Sequence, residues 1–243
     1  MCRMLAIISM KPLSTHYLRG FRRLSEDGRV SRNAKTPGHK DGWGVVRIDR
    51  QPAYLGHKAL QNDGAVEANA ATSQDYGRVC VDIEEKRLNG IFLAHLRKAS
   101  SGKRVLENTA PFIEGKWSFT HNGTVYELGS GGVSDSRVLF KTLVEKMIER
   151  GDAVEGIRTA LNKIKAYHTY SSMTFLLSDG RSLYAYRDYT QDGEYYSLKH
   201  ASAEDSTLIF SQEEIWSLNW TTIPNRSLVI ADRYLKIKGP FKI

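Results

Sequence analysis

Two cysteines in 243 residues, Cys2 and Cys80, are too few for a disulfide framework, and the chain is read as cytoplasmic, in a reducing compartment. Long apolar runs are also missing. The opening run Leu5 to Ile8 is far too short for a membrane span or a signal-peptide core, and no later segment approaches that length, so a soluble protein without membrane contact is expected. Prolines number only six, and no stretch rich in Pro, Gly and Ser interrupts the chain. With no linker, repeat or low-complexity tract, and with 41% hydrophobic residues, residues 1–243 are expected to form one domain with a sizeable core. The net charge is +8, yet the basic residues are scattered in pairs such as Arg22-Arg23 and Lys86-Arg87. Zinc-finger spacing and RNA-binding aromatic motifs are absent, which leaves a solvated basic surface and no nucleic-acid partner. No metal or organic cofactor is expected.

The pattern that is present alternates strand and helix blocks. Met4–Ser9, Gly44–Ile48, Ile91–His95 and Trp117–Thr120 are short, apolar or alternating, and bounded by turn residues, as strands are. Leu139, Leu143 and Met147 recur at helical spacing, with Phe140 and Val144 widening the stripe and Gly151 as a stop. Asp152 with Glu155 reads as a capping box for a second, antiparallel helix carrying Ile157, Leu161 and Ile164. Strands resume at Met173–Leu177 and Leu183–Tyr186 around the hairpin signal Asp179-Gly180, followed by Leu208–Phe210 and Ser227–Ile230. Many strands around one helix pair predict an α+β layered domain.

Chemistry enters at the second residue. Loss of Met1 would give Cys2 both a thiol and an α-amine whose ordinary pKa is roughly 8, a nucleophile with its own base; otherwise Cys2 is a small buried residue opening a strand. In Thr120-His121-Asn122-Gly123-Thr124, Asn-Gly suits a hairpin turn, and equally an oxyanion hole made of the Asn122 amide and the Gly123 N–H. Arg97, in His95-Leu96-Arg97-Lys98-Ala99-Ser100-Ser101-Gly102, is a solvated strand-end charge or a carboxylate clamp. Asp135, in Val133-Ser134-Asp135-Ser136-Arg137, is a helix-capping residue or the partner of a substrate ammonium group. The glycines of Gly38-His39-Lys40-Asp41-Gly42-Trp43-Gly44 allow a tight bend, near a ligand or not.

Taken in order, Cys2, Asp41-Gly42-Trp43-Gly44, His95-Leu96-Arg97, His121-Asn122-Gly123 and Ser134-Asp135-Ser136 resemble a class II glutamine amidotransferase domain of the N-terminal nucleophile hydrolase type, in its stand-alone form. The resemblance implies a four-layer αββα sandwich with the nucleophile at the start of an inner strand. It further implies that Cys2 attacks the side-chain amide of glutamine, that its α-amine is base and then acid, and that Asn122 and Gly123 hold the oxyanion. Arg97 would bind the substrate carboxylate and Asp135 its ammonium group, while Ser100 or Ser101 would add hydrogen bonds. A glutamyl thioester would form and be hydrolysed. Lys98, Ser100 and Ser101 depart from the best-known members, which carry an aromatic after the arginine.

Three functions fit these residues: a hydrolase of glutamine or a γ-glutamyl amide, an ammonia-supplying subunit active only with a separate synthase subunit, and a non-enzymatic amino-acid-binding regulator. No residues are expected to remain for a fused synthase domain, which fits a stand-alone form that either passes ammonia to a separate partner or hydrolyses the amide; the ordered motifs make the hydrolase the leading reading. A Cys-His hydrolase pairing Cys2 with His121 or His95 is a weaker fourth reading, because an N-terminal α-amine already supplies a base.

Overall fold

The computed structural model describes residues 2–32, 34, 36–99, 103–204 and 206–243. Thirteen strands run in chain order as β1 Arg3–Ser9, β2 Gly42–Ile48, β3 Pro52–Ala59, β4 Gly90–Arg97, β5 Phe112–Glu114, β6 Trp117–Asn122, β7 Thr174–Ser178, β8 Ser182–Arg187, β9 Lys199–Ala203, β10 Thr207–Ser211, β11 Thr221–Thr222, β12 Ser227–Asp232 and β13 Ile237–Lys242. The helices are α1 His16–Phe21, α2 Leu24–Asp27, α3 Leu60–Ala68, α4 Gln74–Glu85, α5 Asp135–Arg150 and α6 Ala153–Tyr167, with one short 3₁₀ turn at Leu106–Asn108.

The strands form two antiparallel sheets, a seven-stranded one ordered β11-β9-β10-β1-β4-β2-β3 and a six-stranded one ordered β13-β12-β8-β7-β6-β5. Strand β1 lies inside the first sheet, between β10 and β4, and every residue of it is buried. Its side chains alternate between two different cores. Leu5 and Ile7 pack with Trp43, Tyr76, Phe92 and the α1 residues Leu18 and Phe21 on the outer face. Met4, Ala6 and Ile8 pack instead with Leu93, Leu176, Ala185 and Val229, which belong to the space between the sheets. On the far side of the second sheet, Phe119, Phe175 and Tyr186 meet Leu139, Leu143, Ile157 and Leu161 of α5 and α6. Helix, sheet, sheet and helix therefore stack in four layers, the expected αββα sandwich. Burial on both faces also explains why β1 reads as a continuous apolar run; each fully buried Leu or Ile contributes about 1.5–3 kcal/mol.

The helix pair follows its sequence signals. Ser134 caps α5 by accepting from Arg137 N, Gly151 ends it with φ 64°, and Asp152 caps α6 by accepting from Glu155 N at 2.8 Å. Gly156 brings the two helices together, since a Cβ there would lie 2.4 Å from Met147 Cα. Sequence periodicity revealed only this pair. The opposite helical layer includes α4, capped by Ser73 and packed through Tyr76, Val79, Cys80 and Ile83.

Candidate active site

Alternation along β1 carries the inter-sheet face back from Met4 to Cys2, at the end of the sheet pair. Arg3 pairs with Leu96 across the β1–β4 ladder, so Cys2 stands opposite Arg97, with His95 two residues further along the same face. The strand is fixed at this end by the buried Arg3 guanidinium. It donates to the Cys2 carbonyl at 3.2 Å and to the Tyr195 carbonyl at 3.4 Å, pairs with Glu213, and lies over the Tyr195 ring at 4.3 Å.

Strand β6 delivers the second part. Asn122, its last residue, is fully buried; its Oδ1 accepts from Cys2 N at 2.9 Å and its Nδ2 donates to Gln212 Oε1 at 3.2 Å. Gly123 does not take the positive φ of an Asn-Gly hairpin turn. It is glycine for another reason: a Cβ would stand 1.9 Å from the Ser172 carbonyl oxygen. The hairpin alternative thus fails on backbone conformation, and close approach of two chains accounts for the residue.

Arg97 ends β4 and is buried rather than solvated. Its Nη2 donates to the Lys103 carbonyl at 2.9 Å, while Nη1 is buried without a partner among the described residues. A buried guanidinium nitrogen left unpaired costs free energy, so it marks a place for an anionic acceptor. Asp135 opens α5, and one of its oxygens accepts from Val125 N at 2.8 Å, which fixes the carboxylate. The capping role expected of Ser134 or Asp135 falls to Ser134. Ser100 and Ser101, and Met1, lie outside the described residues.

Cys2, His95, Arg97, Gly123 and Asp135 line one cleft of about 1560 Å³. Tyr126, Tyr170 and Tyr196 form other parts of its wall. The Gly38–Gly44 segment is tied to this cleft through Asp41, whose carboxylate accepts from Ala99 N at 2.8 Å and pairs with Arg104 at 3.1 Å. Among the described residues, no group of three or more His, Cys, Asp or Glu side chains could hold a metal ion, and no helix is long and apolar enough to cross a membrane.

With Met1 in place, burial pushes the Cys2 thiol up, but the charge of His95, the amino-terminal charge at residue 1 and a His95 hydrogen bond outweigh it and hold the thiol at about 6. A large thiolate fraction at neutral pH follows. His121, by contrast, uses Nδ1 with Ser136 Oγ at 2.9 Å and Nε2 with the Ser172 carbonyl at 3.2 Å, and burial lowers its pKa. It braces the turn after β6, whereas His95 adjoins the thiol. Sequence reasoning gave no role to Arg3, Tyr195 or Gln212, because their partners lie far away along the chain.

Comparison with known proteins bears on the family and the fold. Residues 1–236 match the family model described as class-II glutamine amidotransferases. The uncharacterized protein MJ1515 of Methanocaldococcus jannaschii is 28% identical over 82% of this chain, which spans 54% of that relative's length. Among solved structures, glutamine phosphoribosylpyrophosphate amidotransferase from B. subtilis superimposes with a TM-score of 0.64 at 14% identity, over 98% of this chain and 49% of that one. A class-II glutamine aminotransferase domain protein from Silicibacter pomeroyi gives 0.60 at 16% identity, with all of both chains covered. On the family match across nearly its whole length, the chain belongs to the class II glutamine amidotransferases.

Proposed function

We propose that this protein hydrolyses the side-chain amide of glutamine or of a γ-glutamyl amide, using Cys2 freed by removal of Met1, within one domain over residues 1–243. The observation that carries the reading is the hydrogen bond from Cys2 N to Asn122 Oδ1, 2.9 Å long, at the edge of a cleft that also holds Arg97 and Asp135. Here Cys2 N is the peptide nitrogen of the Met1–Cys2 bond; on removal of Met1 it becomes the α-amine, already placed beside the thiol that it would serve.

In this reading the unpaired Nη1 of Arg97 receives the substrate α-carboxylate and Asp135 its α-ammonium group. The thiol proton passes to the α-amine, and the thiolate attacks the amide carbon. Asn122 Nδ2 and the Gly123 N–H donate to the oxyanion of the tetrahedral intermediate; one such donor is worth about 3 kcal/mol. Collapse breaks the C–N bond, and the amine returns its proton to the departing ammonia or amine. Water then attacks the thioester, again giving a proton to the α-amine, and glutamate leaves as the thiol is restored.

A second reading, in which ammonia passes to a separate synthase subunit, draws on the Bacillus enzyme, where the matched fold makes up 49% of the chain. An amide-hydrolysis assay on wild type and Cys2→Ala, reading ammonia from glutamine and aniline from γ-glutamyl anilide, tests both. Turnover by wild type alone, lost in the variant, is the expected result. Turnover only after a partner protein is added supports the subunit, and amino-acid binding without turnover under either condition overturns both.

A further inference from the structure

The buried amide of Gln212 has no structural task that accounts for it. Gln212 follows β10 directly, and because Leu5 pairs with Ser211, it stands across from Met4 on the inter-sheet face, two residues along from the Phe210–Ala6 pair. Its backbone is clasped at this point: Ser211 Oγ donates to the Glu213 carbonyl at 2.7 Å, Glu213 N donates back to Ser211 Oγ at 3.2 Å, and the Glu213 carboxylate pairs with Arg3. The side chain is 2% exposed, and its Oε1 accepts from Asn122 Nδ2 at 3.2 Å across 90 residues of sequence. Its Nε2 is buried without a partner among the described residues. A buried donor left unmade destabilises a fold. An apolar side chain of equal length would therefore serve stability better.

We propose that Gln212 is a positioning residue that sets the orientation of the Asn122 amide, and through it the oxyanion hole. The inference rests on the amide-hydrolase reading given above. Asn122 must turn its oxygen to the Cys2 nitrogen and its NH₂ group away from it, and an amide's two ends are nearly the same shape. The Cys2 amine alone does not enforce that choice during catalysis. As the neutral base it has a lone pair as well as N–H bonds, and so can pair with either end of Asn122. Gln212 Oε1 only accepts. With the glutamine as it stands, turning Asn122 over would set two carbonyl oxygens face to face at the distance now spanned by a hydrogen bond. One N–H of Asn122 is used to hold the orientation, and the other, which has the Tyr195 hydroxyl near it, is the one that would donate to the oxyanion.

Gln212→Met removes both amide atoms and keeps the unbranched length. The expected result is a kcat for amide hydrolysis lowered about tenfold or more with KM within about twofold, since only transition-state stabilisation is touched. Alkylation of Cys2 by iodoacetamide, a displacement that forms no oxyanion, should keep its wild-type rate, and the melting temperature should hold or rise. Gln212→Glu retains an oxygen acceptor and should recover most of the lost kcat. The side-chain amide signals of Asn122 in ¹⁵N-labelled protein give a readout independent of turnover, and they should shift or broaden in Gln212→Met. Wild-type kcat in that variant, or an Asn122 amide signal that does not move, overturns the inference. So does a loss of kcat matched by equal losses of alkylation rate and stability, which would make Gln212 an ordinary core residue. A wild-type protein that turns over no γ-glutamyl amide instead refutes the hydrolase reading, and the Asn122 signal still decides the role of Gln212.

Discussion

Replacing Gly123 by alanine tests the floor of the cleft in a single atom. The added Cβ would sit 1.9 Å from the Ser172 carbonyl oxygen and 2.6 Å from its carbon, where ordinary contact begins at 3.4 Å. Relief requires the oxygen or residue 123 to retreat by the difference between 3.4 and 1.9 Å, about 1.5 Å. Neither side is loose: Thr124 N donates to Ser171 Oγ at 3.1 Å, Ser171 N donates to the Thr124 carbonyl at 2.9 Å, and Val125 bridges to Tyr170. Overpacking of this kind costs about 1–3 kcal/mol, which for a chain of this size lowers the melting temperature by about 2–12 °C. The same displacement moves the Gly123 N–H away from the oxyanion, so kcat should fall about a hundredfold at a temperature where the variant is fully folded. The assay is thermal melting combined with ammonia release from glutamine. Gly77→Ala is the control, because nothing lies within 4 Å of a Cβ there and the glycine is inside α4; it should be neutral or stabilising by up to about 1 kcal/mol. Wild-type stability and turnover in Gly123→Ala would refute the steric reasoning.

Three further outcomes are expected. Arg97→Ala should raise KM for glutamine about tenfold to a hundredfold with a smaller change in kcat, since a charge-assisted hydrogen bond to the carboxylate is worth about 1.5–3 kcal/mol; an unchanged KM would remove Arg97 from the carboxylate site. The rate of Cys2 alkylation by iodoacetamide should rise with pH to a plateau with its midpoint below the ordinary thiol value. Positive charge on His95 stabilises the thiolate, so His95→Gln should move that midpoint upward and slow alkylation at neutral pH, and a midpoint that stays in place would discharge His95 from this role. Gly156→Ala should destabilise the fold by about 1–3 kcal/mol in urea titration, because its Cβ meets Met147 Cα at 2.4 Å, while the folded variant keeps wild-type turnover.

The elements that the sequence made legible are those whose signals are local. Leu139, Leu143 and Met147 with Gly151 and Asp152 specify the α5–α6 pair without outside help, and Asp179-Gly180 marks the β7–β8 hairpin, where Gly180 takes φ 81°. Helix α4 carries a comparable stripe, Tyr76, Val79, Cys80 and Ile83, after the cap Ser73, and periodicity could have found it. Strands β9 and β11 could not be found in that way, because they are short, carry no large apolar side chain and are for the most part exposed or half-buried, and they exist only through pairing with neighbours. At the site, the motif residues Cys2, Arg97, Gly123 and Asp135 were nameable one by one, and the structure brings them to one cleft. Gln212 and Arg3 were not nameable. Each acts on a residue or loop set beside it by tertiary packing, Asn122 of the facing sheet for one and the Arg29 and Tyr195 carbonyls for the other, and no short-range pattern encodes that.

The proposed hydrolysis stands or falls on a processed Cys2 that forms a covalent glutamyl thioester. Intact-mass spectrometry of the purified protein, followed by acid quenching during turnover of a γ-glutamyl amide and mapping of the N-terminal peptide, tests it most directly. The expected protein lacks Met1 and gains one glutamyl unit on Cys2, with no adduct in Cys2→Ala. A protein that retains Met1 and still hydrolyses the amide, or one that turns over without any adduct on Cys2, would contradict it.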